Sequence, residues 1–258
     1  MLLRRGDGLI RLLHVDDDEV IVRARESGGA VRFLAESASR DAAAEGVERM
    51  RFALGVDHDL SEFHSRFRSD PLIGPVIRVR PWLRPRRRPE PFEALAWAIC
   101  EQLIESRRAA RVQRRIVLRH GRRSACGTLV APPSAARLAG RSPAELDACG
   151  LAPKRSVALV AAAREVASGR ADLRRHESSW RRLRAIPNIG SWTVEMLAFE
   201  GQGRDDQLPA LDLDYVDLVG RLADLGRRAT EDEVRAFFAP YEEYAGLAGI
   251  YAINRRYL

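Results

Sequence analysis

The chain is almost without lysine, and this scarcity limits the chemistry it can perform. Lys154 is the only lysine among 258 residues, although lysine and arginine together number 43 and the formal net charge is +7. The positive charge is therefore carried by arginine, which favours planar contacts with phosphate groups. A GC-rich genome produces the same bias, so it does not by itself indicate nucleic-acid binding. A side-chain amine nucleophile is excluded everywhere except at position 154.

Metal-binding patterns and long apolar runs are also missing. Cys100, Cys126 and Cys149 form no C-x-x-C pair, and the five histidines follow no HExxH spacing. These absences exclude the usual signatures of zinc and iron–sulfur sites. The sequence also has no signal segment and no apolar run of membrane-spanning length. We therefore expect a reduced, cytoplasmic protein that needs no membrane and, if it binds DNA, associates with the nucleoid.

Turn signals and apolar periodicity predict a mostly helical protein with a small sheet at its start. Apolar runs near residues 9–13, 20–24 and 30–34 are separated by turn signals and predict an antiparallel sheet, with a helix over 42–54 packed on it. The predicted parts are an N-terminal α+β domain (1–80), a connector rich in proline and arginine (81–91), a helical domain (92–206) and a C-terminal helical portion (207–258). The arginines of the connector could contact phosphate or could simply be solvated.

The sequence Ile-Pro-Asn-Ile-Gly at 186–190 predicts a tight turn between two helices, within a hairpin at about 178–200. Ser191 is a candidate N-cap of the second helix, whose buried stripe would include Val194 and Leu197. A helix N-terminus preceded by free amides is an anion site, and a DNA phosphate is one such anion. From spacing alone, a purely structural turn would look the same and is the more common case.

Three motifs together resemble the helix-hairpin-helix DNA glycosylases, and within them the DNA-3-methyladenine glycosylase II group. They are P-F-E-A-L-A-W-A-I-C-E-Q-L-I at 91–104, I-P-N-I-G-S-W-T at 186–193 and Q-L-P-A-L-D at 207–212. The resemblance implies the helix-hairpin-helix glycosylase fold with its small N-terminal α+β domain. It also implies a monomer that binds double-stranded DNA containing a damaged base. No cofactor is expected, except a potassium or sodium ion on carbonyls of the hairpin.

The resemblance assigns DNA contacts to two turns. Leu103 would be the wedge that fills the gap left by a flipped base, with Gln102 beside it against the opposite strand. The hairpin would hold the DNA backbone through its first helical turn and the amides before it. The hairpin residues predicted to contact DNA are Asn188, Gly190, Ser191 and Thr193, the last through its hydroxyl group.

Asp212 is the predicted catalytic carboxylate, with Asp214 as its rival. Asp212 precedes an apolar helical run, Leu213 to Leu222, so it can also be read as an N-cap with no catalytic role. The two interpretations are compatible, because the helix dipole should favour an ionised carboxylate. Such a carboxylate can stabilise an oxocarbenium-like sugar or orient the attacking water.

An aromatic pocket would favour a cationic alkylated purine by stacking. The residues predicted to line it are Trp192, Met196, Tyr244, Ile250 and Tyr251. Met196 and Ile250 stand where the resemblance leads us to expect aromatic residues. Glu101, Glu105 and Glu243 add negative charge where relatives have small or basic residues.

The predicted function is that of a monofunctional DNA glycosylase, which hydrolyses the N-glycosidic bond of damaged purines in base excision repair. Bifunctional relatives place a lysine two residues beyond the last hairpin glycine, where this chain has Trp192. Two alternatives remain open from the sequence. The first is a non-catalytic protein that binds DNA structure with the same fold, and the second is a helical scaffold for protein interactions.

Overall fold

The computed structural model describes residues 3–5 and 8–257, with side chains for 8–257. The strands are β1 (Leu3–Arg5), β2 (Gly8–Val15), β3 (Asp18–Ser27), β4 (Ala30–Glu36), β5 (Arg122–Arg123) and β6 (Val130–Ala131). The helices are α1 (Arg40–Leu54), α2 (Ser61–Phe67), α3 (Gly74–Val79), α4 (Pro91–Glu101), α5 (Ser106–His120), α6 (Ala135–Ala139), α7 (Pro143–Asp147), α8 (Pro153–Ala167), α9 (His176–Arg184), α10 (Ser191–Met196), α11 (Leu213–Leu222), α12 (Glu231–Phe238) and α13 (Ala245–Asn254). Helix α10 runs on into a π-helical turn, Leu197–Gly201. Short 3-10 turns cover Ala239–Tyr244 and Arg255–Tyr257.

The N-terminal part is an antiparallel sheet in the order β1-β2-β3-β4, with α1 packed on one face. Helix α1 begins after Ser39, whose side chain accepts a hydrogen bond from the amide of Ala42. Gly55 ends the helix in the left-handed conformation that glycine adopts at low cost. The predicted sheet and helix are confirmed, whereas β1 was not foreseen from the sequence.

The largest hydrophobic cluster forms around α4. Every residue of that helix from Phe92 to Cys100 is buried, including Glu93. Helices α5, α8 and α10 all pack against it. Such a helix, apolar on all sides, is stable only at the centre of a bundle, so α4 is the axis of this part of the molecule.

A second cluster joins the two ends of the sequence. Helices α2 and α3 bury Phe63, Phe67 and Ile73 in the same cluster as Leu208, in the loop before α11, and Phe238 of α12. The predicted division had placed all of residues 1–80 with the sheet. The reason for the difference is physical: the apolar faces of α2 and α3 meet partners of matching character in the C-terminal helices.

The arginines of the connector bind carboxylates within the protein. Arg86 and Arg88 both donate to Glu200, at 2.8 and 3.2 Å. Arg87 donates to Asp205 at 2.8 Å. The idea that this run contacts phosphate is therefore wrong for these three residues, whose guanidinium groups fasten the connector to the segment after α10.

Candidate active site

Helix α11 positions Asp212 as its N-cap. One carboxylate oxygen, Oδ1, accepts the amide N–H of Asp214 at 3.0 Å, and the backbone of Asp212 is extended (φ −64°, ψ 138°). The amide of Asp212 in turn donates to the carbonyl of Pro209 at 2.8 Å, which closes the preceding loop. The predicted cap is confirmed, and it fixes where the carboxylate points.

The second oxygen of Asp212 contacts the hairpin helix. Trp192 donates its indole Nε1–H to Oδ2 of Asp212 at 3.1 Å. Burial is the largest influence on this group and raises the pKa of Asp212 above its ordinary value, although the hydrogen bonds from Asp214 and Trp192 act in the opposite direction. The hydrogen bonds at the helix terminus favour the ionised carboxylate, as expected, but the cost of desolvating the charge is larger and sets the direction of the pKa shift.

Asp214, the rival carboxylate, faces a different environment. Its side chain is half exposed, and Oδ1 accepts a hydrogen bond from Arg256 at 3.1 Å. An exposed carboxylate paired with arginine is screened by water and neutralised by its partner. Asp212, which is partly buried and accepts the indole N–H of Trp192, is therefore the better placed of the two to stabilise positive charge.

The hairpin turn has the geometry that its sequence predicts. Asn188 adopts the left-handed conformation (φ 67°), and Ile189 is buried beneath it. The N-cap of α10 is Gly190, which has no side chain to occupy the first-turn amides. The assignment of Ser191 as the cap is wrong: the helix begins at that residue. The amides of Ser191 and the residues after it lack intrahelical acceptors, as at any helix start.

Consecutive residues in the first turn of α10 bind separate parts of the molecule. Ser191 donates its hydroxyl to Glu231 of α12 at 3.4 Å, Trp192 contacts Asp212 as above, and Thr193 accepts from Gln102 at 2.8 Å. Side chains that follow one another on a helix point about 100° apart. The first turn of α10 therefore joins the C-terminal helices, the catalytic candidate and the end of α4.

Two of the residues predicted to contact DNA make hydrogen bonds within the protein. Thr193 is 1% exposed, so its hydroxyl group does not face solvent and the predicted DNA contact of that group is wrong. Gln102 donates its amide nitrogen both to Thr193 and to the carbonyl of Asn188, each at 2.8 Å. These bonds clamp the turn after α4 onto the hairpin, while the position of the half-buried Gln102 against the opposite strand stays a prediction.

Leu103, which follows Gln102, is exposed to solvent. Leu103 is 95% exposed and has φ 51°, a left-handed conformation that costs a leucine about 1 to 2 kcal/mol. Arg155 of α8 holds the turn by donating Nη1 to the carbonyls of Cys100 and Gln102, at 3.2 and 2.9 Å. This strained and exposed leucine does not belong to the core, and its role as the wedge stays a prediction.

The predicted pocket residues divide into two groups. Tyr251 is 0% exposed, and its hydroxyl group bonds to His64 at 2.9 Å and to the carbonyl of Leu83 at 3.1 Å. A ring sealed in the core cannot stack on a base, so its assignment to the pocket is wrong. Tyr244 is partly buried against Phe63, at 5.5 Å between ring centroids.

Trp192, Met196 and Ile250 are partly exposed and stay predicted pocket residues. For Trp192, the indole lies beside Asp212, which is where a base-stacking residue is needed. The single signal in the sequence was its position in the hairpin motif.

Two of the unusual acidic residues accept hydrogen bonds within the protein. Glu101 accepts from the uncharged amide of Gln113 of α5 at 2.8 Å, and Glu243 accepts from Arg66 at 2.8 Å, which also offsets its charge. Glu105 is the N-cap residue of α5, where negative charge complements the helix dipole. Each of these acidic residues therefore has a local structural explanation.

Several residues of the site could not be found by sequence reasoning. Arg155, Glu200 and Arg235 act through contacts with residues far away in sequence; Arg235, for example, pairs with Glu195 of α10. No motif spacing identifies such partners, because the contact exists only after the helices have packed.

Among the described residues, 3–5 and 8–257, no helix is both long and apolar enough to cross a bilayer. Within the same residues, no group of three or more histidine, cysteine, aspartate or glutamate side chains is arranged to hold a metal ion.

No protein-family profile matches the sequence. A DNA-3-methyladenine glycosylase of Bacillus subtilis is 26% identical over 204 residues, which cover 76% of this chain and 67% of that protein.

Solved structures extend the comparison over the whole chain. A 3-methyladenine DNA glycosylase from Archaeoglobus fulgidus has a TM-score of 0.84 at 21% identity, covering 100% of this chain and 89% of the other. An 8-oxoguanine glycosylase/lyase from Clostridium acetobutylicum, bound to double-stranded DNA, has a TM-score of 0.74 at 14% identity, covering 100% and 98%. The chain has the helix-hairpin-helix DNA glycosylase fold, mostly helical with a small sheet, as the three motifs predicted.

Proposed function

We propose that this protein is a monofunctional DNA glycosylase that removes alkylated purines from double-stranded DNA by base flipping and hydrolysis assisted by Asp212. The comparisons support the broader statement that it is a DNA glycosylase acting on damaged bases. The observation that carries the finer proposal is the contact between Trp192 and Asp212, which sets an aromatic ring beside a partly buried carboxylate. The molecule would act as a monomer.

Asp212 would act electrostatically on the sugar. As the bond from the sugar to the base breaks, positive charge develops on the sugar ring, and an ionised carboxylate held by two donors stabilises it without reorganising. The same carboxylate can orient the water that attacks the anomeric carbon and accept its proton. The products are the free base and an abasic site in an uncut strand.

The position of Trp192 favours hydrolysis over a lyase reaction. A lyase mechanism requires an amine to attack the sugar and form a Schiff base. Lys154, the single lysine, lies in α8, whereas the hairpin position that carries the lysine in bifunctional relatives is Trp192. Its indole cannot form a Schiff base, and its N–H is donated to Asp212 instead.

An alkylated purine suits this site for electrostatic reasons. A purine methylated at N3 or N7 carries positive charge, which already weakens its glycosidic bond, so no strong general acid is needed. Trp192 would attract such a cation through its ring face, worth about 0.5 to 2 kcal/mol. Flipping costs a few kcal/mol and least for weakly paired lesions, which adds to the selectivity.

A monovalent cation on the hairpin fits the carbonyls present. The carbonyl of Asn188 accepts one hydrogen bond from Gln102, and that of Ile186 accepts one from the amide of Ile189 at 3.1 Å. Each oxygen keeps a second lone pair. A potassium or sodium ion there would place positive charge near the DNA phosphate that the hairpin amides bind.

The test is an excision assay on duplexes that carry 3-methyladenine, 7-methylguanine, hypoxanthine or 1-methyladenine. We expect release of an alkylated purine and strand cleavage only after alkali is added. Borohydride should trap no covalent complex with the protein. A trapped complex would contradict the monofunctional mechanism, and binding without release of any lesion would support the alternative of a non-catalytic DNA-structure binder.

A further inference from the structure

Helix α5 carries an arginine face with no partner in the protein. It contains six arginines and no acidic residue, and its buried side packs into the main core through Ala109, Val112 and Ile116. The residues of its outward face that are considered below are Arg107, Arg108, Arg111 and Arg114, all exposed. Throughout the described residues, none of these four guanidinium groups has a hydrogen bond or ion pair. We call these four residues the α5 arginine face.

Other arginines near the active site behave differently. Arg86, Arg88 and Arg235 each bind a carboxylate of the protein, and Arg155 binds backbone carbonyls. A cluster of unpaired positive charges repels itself, so it lowers stability unless something neutralises it. Four such arginines on one helix therefore favour an external anion as their partner.

The position of the α5 arginine face next to the wedge turn points to DNA phosphate as the anion. Helix α5 begins at Ser106, immediately after the wedge turn that carries Leu103. Helix α4 packs against both α10 and α5, and the wedge turn connects the C-terminal end of α4 to the start of α5. A duplex that receives Leu103 would therefore come close to the first turn of α5, which carries Arg107 and Arg108.

The spacing of the arginines also suits a DNA backbone. Arg107, Arg111 and Arg114 are separated by four and three residues, so they share one side of the helix. From first to last they span about 10 Å at 1.5 Å per residue. One strand of B-DNA advances about 3.4 Å per nucleotide along the axis, so the row covers about three nucleotides.

We propose that the α5 arginine face binds the phosphates of the strand opposite the damaged base. This inference rests on the proposed function, because the hairpin and Asp212 must hold the strand that contains the flipped nucleotide. Leu103 would enter the gap in the base stack, and α5 begins three residues later, so its arginines would reach the strand that the hairpin does not hold. The face would hold the undamaged strand in place while its partner base is withdrawn.

The first test is the salt dependence of binding to an undamaged duplex. The double variant Arg111→Gln/Arg114→Gln removes two charges from the face, and glutamine keeps a good helix propensity. Each lost phosphate contact should reduce the slope of log K against log salt by about 0.9. The matched control is Arg32→Gln/Arg40→Gln, which removes two exposed charges from β4 and the start of α1. Equal slopes for the two double variants would overturn the proposal.

The second test assigns the strand. Neutral methylphosphonate linkages are placed opposite the lesion in one duplex and beside the lesion in another. We expect the first substitution to weaken binding of the wild-type protein but not of the double variant, and the second to weaken both proteins alike. The reverse pattern would contradict the strand assignment.

Lesion excision is measured on the same preparations. Wild-type protein that binds but releases no base would refute the proposed activity while leaving the salt slopes to decide about α5. Wild-type protein that excises bases, with slopes equal to those of the control, would refute the α5 proposal alone.

Discussion

Both carboxylate oxygens of Asp212 accept hydrogen bonds, one from the backbone of its own helix and one from Trp192. The backbone contact is a capping interaction, which asparagine can also make. Asp212→Asn should therefore keep the cap and fold normally, while it loses the charge and the oxygen that accepts from Trp192. We expect its single-turnover excision rate to fall by about 100- to 1,000-fold, the usual cost of removing one group that stabilises a transition-state charge.

Asp214→Asn is the matched control, since it removes a carboxylate two positions away that is exposed and paired with Arg256. Its excision rate should stay within about threefold of wild type, as for most exposed pairs, whose contribution is below about 1 kcal/mol. If Asp214→Asn were the inactive variant instead, the assignment of the catalytic carboxylate would have to be exchanged.

The acid side of the pH profile provides a second prediction. Burial raises the pKa of Asp212, while the hydrogen bond from Trp192 lowers it. The catalytic form is the ionised one, so activity should be lost as the pH falls through the raised pKa. Trp192→Phe removes the donor and should move this acid limb to higher pH. Single-turnover rates measured against pH would show it, and an unchanged or lowered limb would count against the contact.

The residues found from the sequence alone are those whose role depends on the local motif. Asp212, Trp192 and Leu103 lie at motif positions; Trp192 contacts Asp212 and Leu103 is exposed, while the roles assigned to them stay predictions. Tyr251 and Thr193 also fit the pattern but are sealed in the core. Local sequence does not determine how deeply a side chain is buried, because burial depends on packing between helices that are distant in sequence.

Among the elements, the turn after α4 depends on a helix that no motif names. Arg155 of α8 donates to the carbonyls of Cys100 and Gln102 and so fixes the strained conformation of Leu103. Arg155→Met should slow excision by about 10- to 100-fold, corresponding to about 1.5 to 3 kcal/mol for hydrogen bonds from a charged donor. DNA affinity measured in the same buffer should change much less, because the hairpin and α5 remain intact.

The neighbouring residue provides the control. Lys154→Met removes one positive charge from the same turn of α8, at an exposed position. It should leave the excision rate unchanged, which would also exclude Lys154 as a nucleophile. Arg155→Lys should restore part of the rate, since an ammonium group can make only some of the hydrogen bonds that a guanidinium group makes here. Equal losses for the Lys154 and Arg155 variants would indicate a charge effect and not a positioning role.

For the molecule as a whole, the buried carboxylate of Glu200 fastens the connector to the core. It accepts hydrogen bonds from Arg86 and Arg88 and follows directly from the hairpin helix. Glu200→Gln should reduce the free energy of unfolding by about 1 to 3 kcal/mol, because charged hydrogen bonds are lost within a partly buried site. Denaturant unfolding monitored by circular dichroism would measure the change.

Glu36→Gln serves as the comparison, since Glu36 pairs with Arg23 on an exposed strand. Exposed pairs contribute about 0 to 1 kcal/mol, so this variant should have nearly wild-type stability. Equal destabilisation by the two substitutions would contradict the role of Glu200.

For the whole molecule, the sequence predicted which helices and strands form better than it predicted how they pack together. Periodicity located the helices and the small sheet, because each depends on neighbouring residues. It could not show that α2 and α3 pack with the C-terminal helices, since that contact joins Phe63 to residues such as Tyr251. The sequence also left the partners of the connector arginines open, because the carboxylates that they bind lie more than 100 residues away along the chain.

In the proposed role as the wedge, the exposed Leu103 would limit which base pairs the protein can open. Removing a leucine side chain from water gains about 1.5 to 3 kcal/mol, and expelling a base from the stack costs a few kcal/mol. The two quantities are close, so insertion would almost balance extrusion at a weakened pair and would fall short at a sound one. On this proposal the protein would probe many sites briefly and remain only where the duplex is already loosened.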